Sequence, residues 1–131
     1  MTLVIDASVV VAALVDSGPV GTWADSLLGR DDLIAPHLLP VEVANALRSA
    51  AMADRISSDT ASLAHGDLVQ LSALLLPYEP FADRAWALRE NVTPYDAWYV
   101  AVAETFDAPL ATLDSRLAKA PGPRCAFTLP V

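Results

Sequence analysis

Leu3-Val4-Ile5 is an apolar run without polar alternation, and it stops abruptly at Asp6. A strand of that kind belongs in the interior of a sheet covered on both faces, because alternation disappears when neither face meets water. The charge that ends it then stands at the strand's carboxyl edge. The pattern returns at Pro109-Leu110-Ala111-Thr112-Leu113, which ends at Asp114. Further short apolar runs at 32–35, 74–76 and 126–129 alternate with longer segments of helical spacing. Short buried strands alternating with helices specify an α/β fold, here a three-layer sandwich around a central, mainly parallel sheet of four or five strands.

Punctuation residues set the helices. Ser8 is placed to cap a helix from Val9, Gly18-Pro19 breaks it, and a second helical stretch with Trp23, Leu27 and Leu28 runs to Gly29. Pro36 and Pro40 bracket the entry to a helix reaching about Arg55, in which Leu39, Val43, Ala46, Leu47 and Ala50 recur at helical spacing. Ser57-Ser58-Asp59 restarts a helix to about Ala73, Pro80 opens one to about Asn91, and Thr93-Pro94 opens one to Phe106. With no repeat, low-complexity tract or linker, residues 1–131 are expected to form one domain, long enough to bury a core without staples.

In parallel sheets ligands bind at the carboxyl ends of the strands, so Asp6 and Asp114 are expected at one rim. Glu42 after Pro40 and Asp96 after Thr93-Pro94 lie at helix starts, which follow strand ends and point to the same rim. Asn45, one turn beyond Glu42, is a candidate to orient it. Four converging carboxylates repel unless cations lie between them, and hard Mg²⁺ or Mn²⁺ suits such oxygens. Such ions can activate water and stabilise the leaving oxygen of a phosphodiester. Each acid also has a purely structural role open to it. Asp96 completes a Thr93 capping box, Asp114 can cap a helix at 115–118, and Glu42 suits a helix N-terminus. Asp6 is the hardest to explain structurally, since a charge directly after a buried strand needs a specific partner.

Sixteen Asp and Glu against eight Lys and Arg give a formal charge of −8, which excludes gripping nucleic acid through a broad cationic surface. Arg116 and Lys119, just past Asp114, are the candidates for touching substrate phosphates. Cys125 is the sole cysteine, and with only His37 and His65 as histidines there is no zinc-binding cluster, nor an intramolecular disulfide. The apolar run Val9–Val15 is too short to span a membrane and has no basic leader, so a cytoplasmic location without membrane association is expected. Trp23, Trp86, Trp98 and Tyr99 are expected to pack in the core or at subunit contacts.

Val-Ile-Asp-Ala-Ser at 4–8, Pro-Val-Glu-Val-Ala-Asn-Ala-Leu at 40–47, Thr-Pro-Tyr-Asp-Ala-Trp-Tyr-Val-Ala-Val-Ala-Glu at 93–104 and Leu-Ala-Thr-Leu-Asp-Ser-Arg-Leu at 110–117 together resemble the four acidic motifs of PIN-domain ribonucleases. The likeness is greatest to VapC-type toxins of toxin–antitoxin pairs. That resemblance implies a PIN-like sandwich and a Mg²⁺- or Mn²⁺-dependent endoribonuclease acting on single-stranded or looped RNA. One or two ions per site would be held by Asp6, Glu42, Asp96 and Asp114, with Ser8 and Thr112 helping to hold the site. It also implies a small antitoxin with a basic segment, and a homodimer or a larger complex with that antitoxin. The apolar faces of the first helices and of the 38–55 helix, Leu47 included, are the candidate dimer surface. A further acid that some relatives carry after the fourth is absent, since Ser115 and Arg116 follow Asp114. Two alternatives remain. One is a phosphoaspartate-type phosphotransferase or phosphatase, which needs a lysine near the phosphate where only Lys119 exists. The other is a catalytically silent PIN-like binding module.

Overall fold

The computed structural model describes residues 2–30 and 32–130. Strand β1 (Leu3–Ile5) pairs in parallel with β2 (Leu33–Pro36) on one side and β4 (Leu110–Ala111) on the other. Strands β3 (Leu74–Leu76) and β5 (Phe127–Thr128) extend the two flanks, again in parallel, giving the order β3-β2-β1-β4-β5. Every residue of β1, β2 and β4 is buried. The unalternating runs are therefore central strands, and Asp6 and Asp114 follow two that lie side by side.

Helices α1 (Ala7–Val15), α2 (Pro19–Leu28), α3 (Leu39–Met52), α4 (Ser58–Val69), α5 (Ala82–Ala87), α6 (Pro94–Thr105) and α7 (Ser115–Lys119) connect the strands. Helix α6 packs across β1, β2 and β4. Its Ala97, Tyr99, Val100, Ala101, Val102 and Ala103 are all buried, so it is apolar nearly all round, as a central covering helix must be. Helix α1 packs against α2, α3 and α4. At the far end of α6, Glu104 accepts from Arg84 Nε at 2.7 Å and from the Arg124 amide at 2.7 Å, while Arg84 Nη2 also donates to the Gly122 carbonyl at 2.9 Å. These bonds tie α5, α6 and the loop before β5 together.

Several expectations change. Helix α1 starts at Ala7, ahead of Val9, and its cap is Asp6, whose carboxylate accepts from the Val9 amide at 3.3 Å; Ser8 lies inside the helix and turns its hydroxyl back to Asp6. Strand β4 has two residues where five were expected, because Thr112 and Asp114 commit to side-chain bonds that bend the chain out of the sheet. The 80–91 segment divides into a 3-10 turn at Glu79–Phe81, the short α5 and successive turns. Leu47 is only 2% exposed and belongs to the core of the protomer, so it is removed from any dimer surface. Tyr99 is fully buried and Trp23 and Trp98 half-buried, whereas Trp86 lies 60% exposed on α5 with the Arg89 guanidinium 4.8 Å from its ring. Among the described residues no single helix is long and apolar enough to cross a membrane.

The α1–α2 corner depends on a missing side chain. A Cβ at Gly21 would lie 1.8 Å from the Asp16 carbonyl oxygen, so backbone meets backbone where no rotamer can relieve the contact. Gly21→Ala is expected to cost about 3 kcal/mol, lowering Tm by roughly 10 °C in calorimetry. An unchanged Tm would show that the corner relaxes freely.

Candidate active site

Four backbone exits meet at the carboxyl edge of the sheet. Asp6 leaves β1, Asp114 follows β4, Glu42 sits in the first turn of α3 and Asp96 in the first turn of α6. Together with Ala7, Ser8 and Tyr99 they line a cavity of about 160 Å³. All four expected acids are thus brought together, by the parallel topology and the helix starts that follow it.

Asp6 is the anchor. Its Oδ1 accepts from the Ser8 hydroxyl and its Oδ2 from the Thr112 hydroxyl, both at 2.5 Å. Each hydroxyl accepts in turn: Ser8 Oγ from the Leu113 amide at 3.0 Å, and Thr112 Oγ1 from the Asp114 amide at 3.0 Å. Two relays therefore bind the turn after β4 to the end of β1. Through Ser8 and Thr112 the turn that carries Asp114 is tied to Asp6.

The structural roles of the other acids prove compatible with the site. Asp114 does cap α7, its Oδ1 accepting from the Arg116 and Leu117 amides at 2.9 and 3.2 Å. Thr93 caps α6 by accepting from the Asp96 amide at 3.3 Å, and its hydroxyl hydrogen-bonds the Asp96 carboxyl in turn, while Asp96 still lines the cavity. Glu42 is held by the buried Tyr99 phenol, which donates to its Oε1 at 2.7 Å. Asn45 does not orient Glu42, because it is exposed and does not line the cavity. Tyr99 escaped sequence reasoning because an aromatic in an apolar helix reads as core. The available signal was its spacing, one turn beyond Asp96 on the same helix face.

Electrostatics follow from crowding. Burial pushes the carboxyl groups of Asp6, Glu42 and Asp96 above the ordinary carboxylate range. The charges of Asp96 and Asp6 add to the rise at Glu42, and those of Asp6 and Asp114 to the rise at Asp96. Burial and the neighbouring Glu42 push the Tyr99 phenol far up, keeping it a proton donor. No Lys, Arg or His lines the cavity. The lining therefore carries unbalanced negative charge on oxygen donors alone, a set that fits a hard divalent cation. Among the described residues no three His, Cys, Asp or Glu side chains stand, as placed, close enough to hold one ion together. An open ring of this sort suits an ion that retains several waters, as Mg²⁺ does.

The cationic candidates separate. Arg116 is 96% exposed, 4.0 Å from Asp114, and lines an adjoining cavity, while Lys119 is exposed and lines neither. Among the described residues no lysine lines the acid cavity, so phosphoaspartate chemistry lacks the cation it needs beside the phosphate. A larger cavity of about 450 Å³, lined by Glu104 and Cys125, contains none of the four acids. Burial raises the Cys125 thiol to about 11, which leaves it a protonated, unreactive group at neutral pH.

Comparison with known proteins agrees with this arrangement. The PIN-domain family model matches residues 3–123. Ribonuclease VapC1 of Mycobacterium tuberculosis is 45% identical over 127 residues, covering 96% of each chain. The crystal structure of PAE2754 from Pyrobaculum aerophilum superposes with a TM-score of 0.74 at 26% identity, over 97% of this chain and 83% of that one. That of Mycobacterium tuberculosis VapC20, a sarcin-ricin loop cleaving toxin, has a TM-score of 0.68 at 12% identity over 90% and 94%, a likeness of fold alone. With the family model matching residues 3–123 and a relative 45% identical over 96% of the chain, the chain belongs to the PIN-domain family.

Proposed function

We propose that this protein is a Mg²⁺- or Mn²⁺-dependent endoribonuclease, the toxin of a VapBC-type pair, hydrolysing single-stranded or looped RNA in the cytoplasm. The observation that carries the metal is the cavity ringed by Asp6, Glu42, Asp96 and Asp114 with no cation in its lining. The ribonuclease and toxin assignments draw on the close likeness to Ribonuclease VapC1.

Asp6, Glu42, Asp96 and Asp114 hold one or two ions in this reading. When bound, such ions supply the positive charge that makes water nucleophilic and stabilises the leaving oxygen. The residues supply placement. Ser8 and Thr112 hold both Asp6 oxygens, so that carboxylate loses little freedom when a ligand arrives. Tyr99 occupies one oxygen of Glu42 and the α7 amides one oxygen of Asp114, each leaving the other oxygen to the cavity. The Ser8 hydroxyl of the lining is engaged at both ends, donating to Asp6 and accepting from the Leu113 amide, so the attacking group in this reading is water.

A partner follows from the same charge. A basic antitoxin segment satisfies the acid ring as a cation does, an Arg fork pairing with the carboxylates. Two divalent ions halve the formal charge of −8, and metal-free protein should prefer a basic peptide to RNA. Self-association as a homodimer is part of the proposal, with Val41 and Met52, exposed on α3, in place of Leu47.

Two measurements test the site. In chelator, the raised carboxyl groups of Glu42 and Asp96 favour folding below the carboxylate range of the unfolded chain, and that contribution is lost as pH rises through their elevated folded values. At pH 7 the acids therefore oppose folding. Asp96→Asn is expected to raise the metal-free Tm, a gain of about 1 kcal/mol or roughly 4 °C, while reducing RNA cleavage about a hundredfold or more. Cleavage at the wild-type rate would remove Asp96 from the machinery. Thr112→Val keeps the shape, takes a donor from buried Asp6 and takes an acceptor from the Asp114 amide. It is expected to cost about 2 kcal/mol in denaturant unfolding and to weaken Mn²⁺ binding about tenfold in calorimetric titration. Wild-type values in both would show that the relay does not position Asp6.

A further inference from the structure

The acid cavity does not end at its own walls. It shares Ala7 and Ser8 with an apolar lobe of about 360 Å³ lined by Val11, Ala12, Val15 and Leu113, and it shares Asp96 and Asp114 with a polar lobe of about 320 Å³. The polar lobe lies between the N-terminus of α6 and α7, and Asn91, Thr93, Arg116 and Leu117 are in its wall. Through these shared residues the three lobes adjoin as a trough with the carboxylates in the middle, and among the described residues Arg116 is the only cation that lines any of them.

A polyanionic strand laid across carboxylates needs positive charge on the side where it leaves them, and the trough provides it on one side only. The apolar lobe has Asp16 as its sole charged lining residue. In the polar lobe the α7 amides are already taken by Asp114, so recognition falls to side chains. The Arg116 guanidinium is free to turn, being 96% exposed and only 4.0 Å from Asp114 Oδ1. The Thr93 hydroxyl is engaged with Asp96, accepting from its amide and hydrogen-bonding its carboxyl, so Thr93 shapes the wall and the contacts fall to Arg116 and Asn91. The Asn91 side-chain amide makes no hydrogen bond among the described residues and offers both donor and acceptor, the combination that reads a base edge. The volume suits one unstacked nucleotide and is at the small end for a ligand pocket.

We propose that the lobe formed by Asn91, Thr93 and Arg116 is the seat of the nucleotide next to the scissile phosphate, with Arg116 pairing its phosphate and Asn91 reading its base. This subsite rests on the ribonuclease reading above and assigns the strand's direction of exit. A single-nucleotide seat beside the acids requires an unpaired, splayed base, so duplex RNA is excluded from it.

The test is steady-state cleavage of a fluorogenic single-stranded RNA in Mn²⁺ by wild-type protein, Arg116→Ala, Arg116→Lys and Asn91→Ala, with KM followed against KCl concentration. Arg55→Ala is the control; it lies beyond the C-terminal end of α3, whose first turn carries Glu42, and lines none of the three lobes. Arg116→Ala is expected to raise KM about tenfold with kcat within about twofold, and to flatten the salt slope of log KM by about 0.7. Arg116→Lys should restore that slope, and Arg55→Ala should match wild type. Asn91→Ala should leave the salt slope alone and broaden base preference at one position beside the cut, read by sequencing cleavage ends. Wild-type KM and slope in Arg116→Ala, or unchanged base preference in Asn91→Ala, would overturn the subsite while cleavage by the wild type upheld the ribonuclease. No cleavage of any RNA by wild-type protein in Mg²⁺ or Mn²⁺ would instead overturn the ribonuclease, and the subsite with it.

Discussion

The two hydroxyl relays onto Asp6 are the interaction on which the rest of the site depends. A carboxylate at the end of a buried central strand is costly unless its oxygens are met by donors. Ser8 meets one from the helix that follows, and Thr112 meets the other from the neighbouring strand. Because both hydroxyls also accept backbone amides of residues 113 and 114, the same bonds shape the turn that presents Asp114. Satisfying the first acid thus builds the position of the last, although they lie 108 residues apart in the chain.

The remaining two acids are placed by helix starts, and each is only half spent. Glu42 gives one oxygen to Tyr99, and Asp96 pairs its amide and its carboxyl with the Thr93 hydroxyl. Capping and catalysis are usually treated as competing explanations for an acid at a helix N-terminus. Here the helix start and its neighbours position each residue without exhausting its carboxylate, so structural placement leaves charge open to the cavity. The consequence is negative charge concentrated in a small, partly dehydrated cavity, which opposes folding until a cation arrives. Storage of that unfavourable energy is the ordinary signature of a site kept for binding.

The architecture was legible in the sequence wherever a residue's neighbours along the chain determine its setting. Unalternating runs ending in Asp6 and Asp114 announced central parallel strands and a charged rim, and Pro94 after Thr93 announced the start of α6. What could not be read depends on contacts between distant segments. Strand β4 is cut short because Thr112 is drawn to Asp6, a bond that no local propensity encodes. Asn45 has helical spacing from Glu42 but faces solvent, whereas Tyr99, distant in sequence, arrives from α6 and takes the role. Leu47 has the periodicity of an interface and that of a core alike, and only the packing of α3 against α1 and α4 decides for the core.

An acidic protein acting on a polyanion is at odds with itself until the charges are placed. The acids of the rim are concentrated at one edge of the sheet, and Arg116, the one cation lining the trough among the described residues, lies beyond them on α7. With divalent ions in the ring, attraction becomes local, strongest where the phosphate must be cut and weak elsewhere. Affinity for RNA then scales with metal occupancy and with very few Arg–phosphate pairs, so its salt dependence is shallow compared with that of a protein gripping many phosphates. A basic partner segment reverses the situation, because it is attracted most strongly when the metals are gone. On the proposed reading, the same ring of carboxylates serves cleavage when metal is bound and inhibition when a basic chain takes its place.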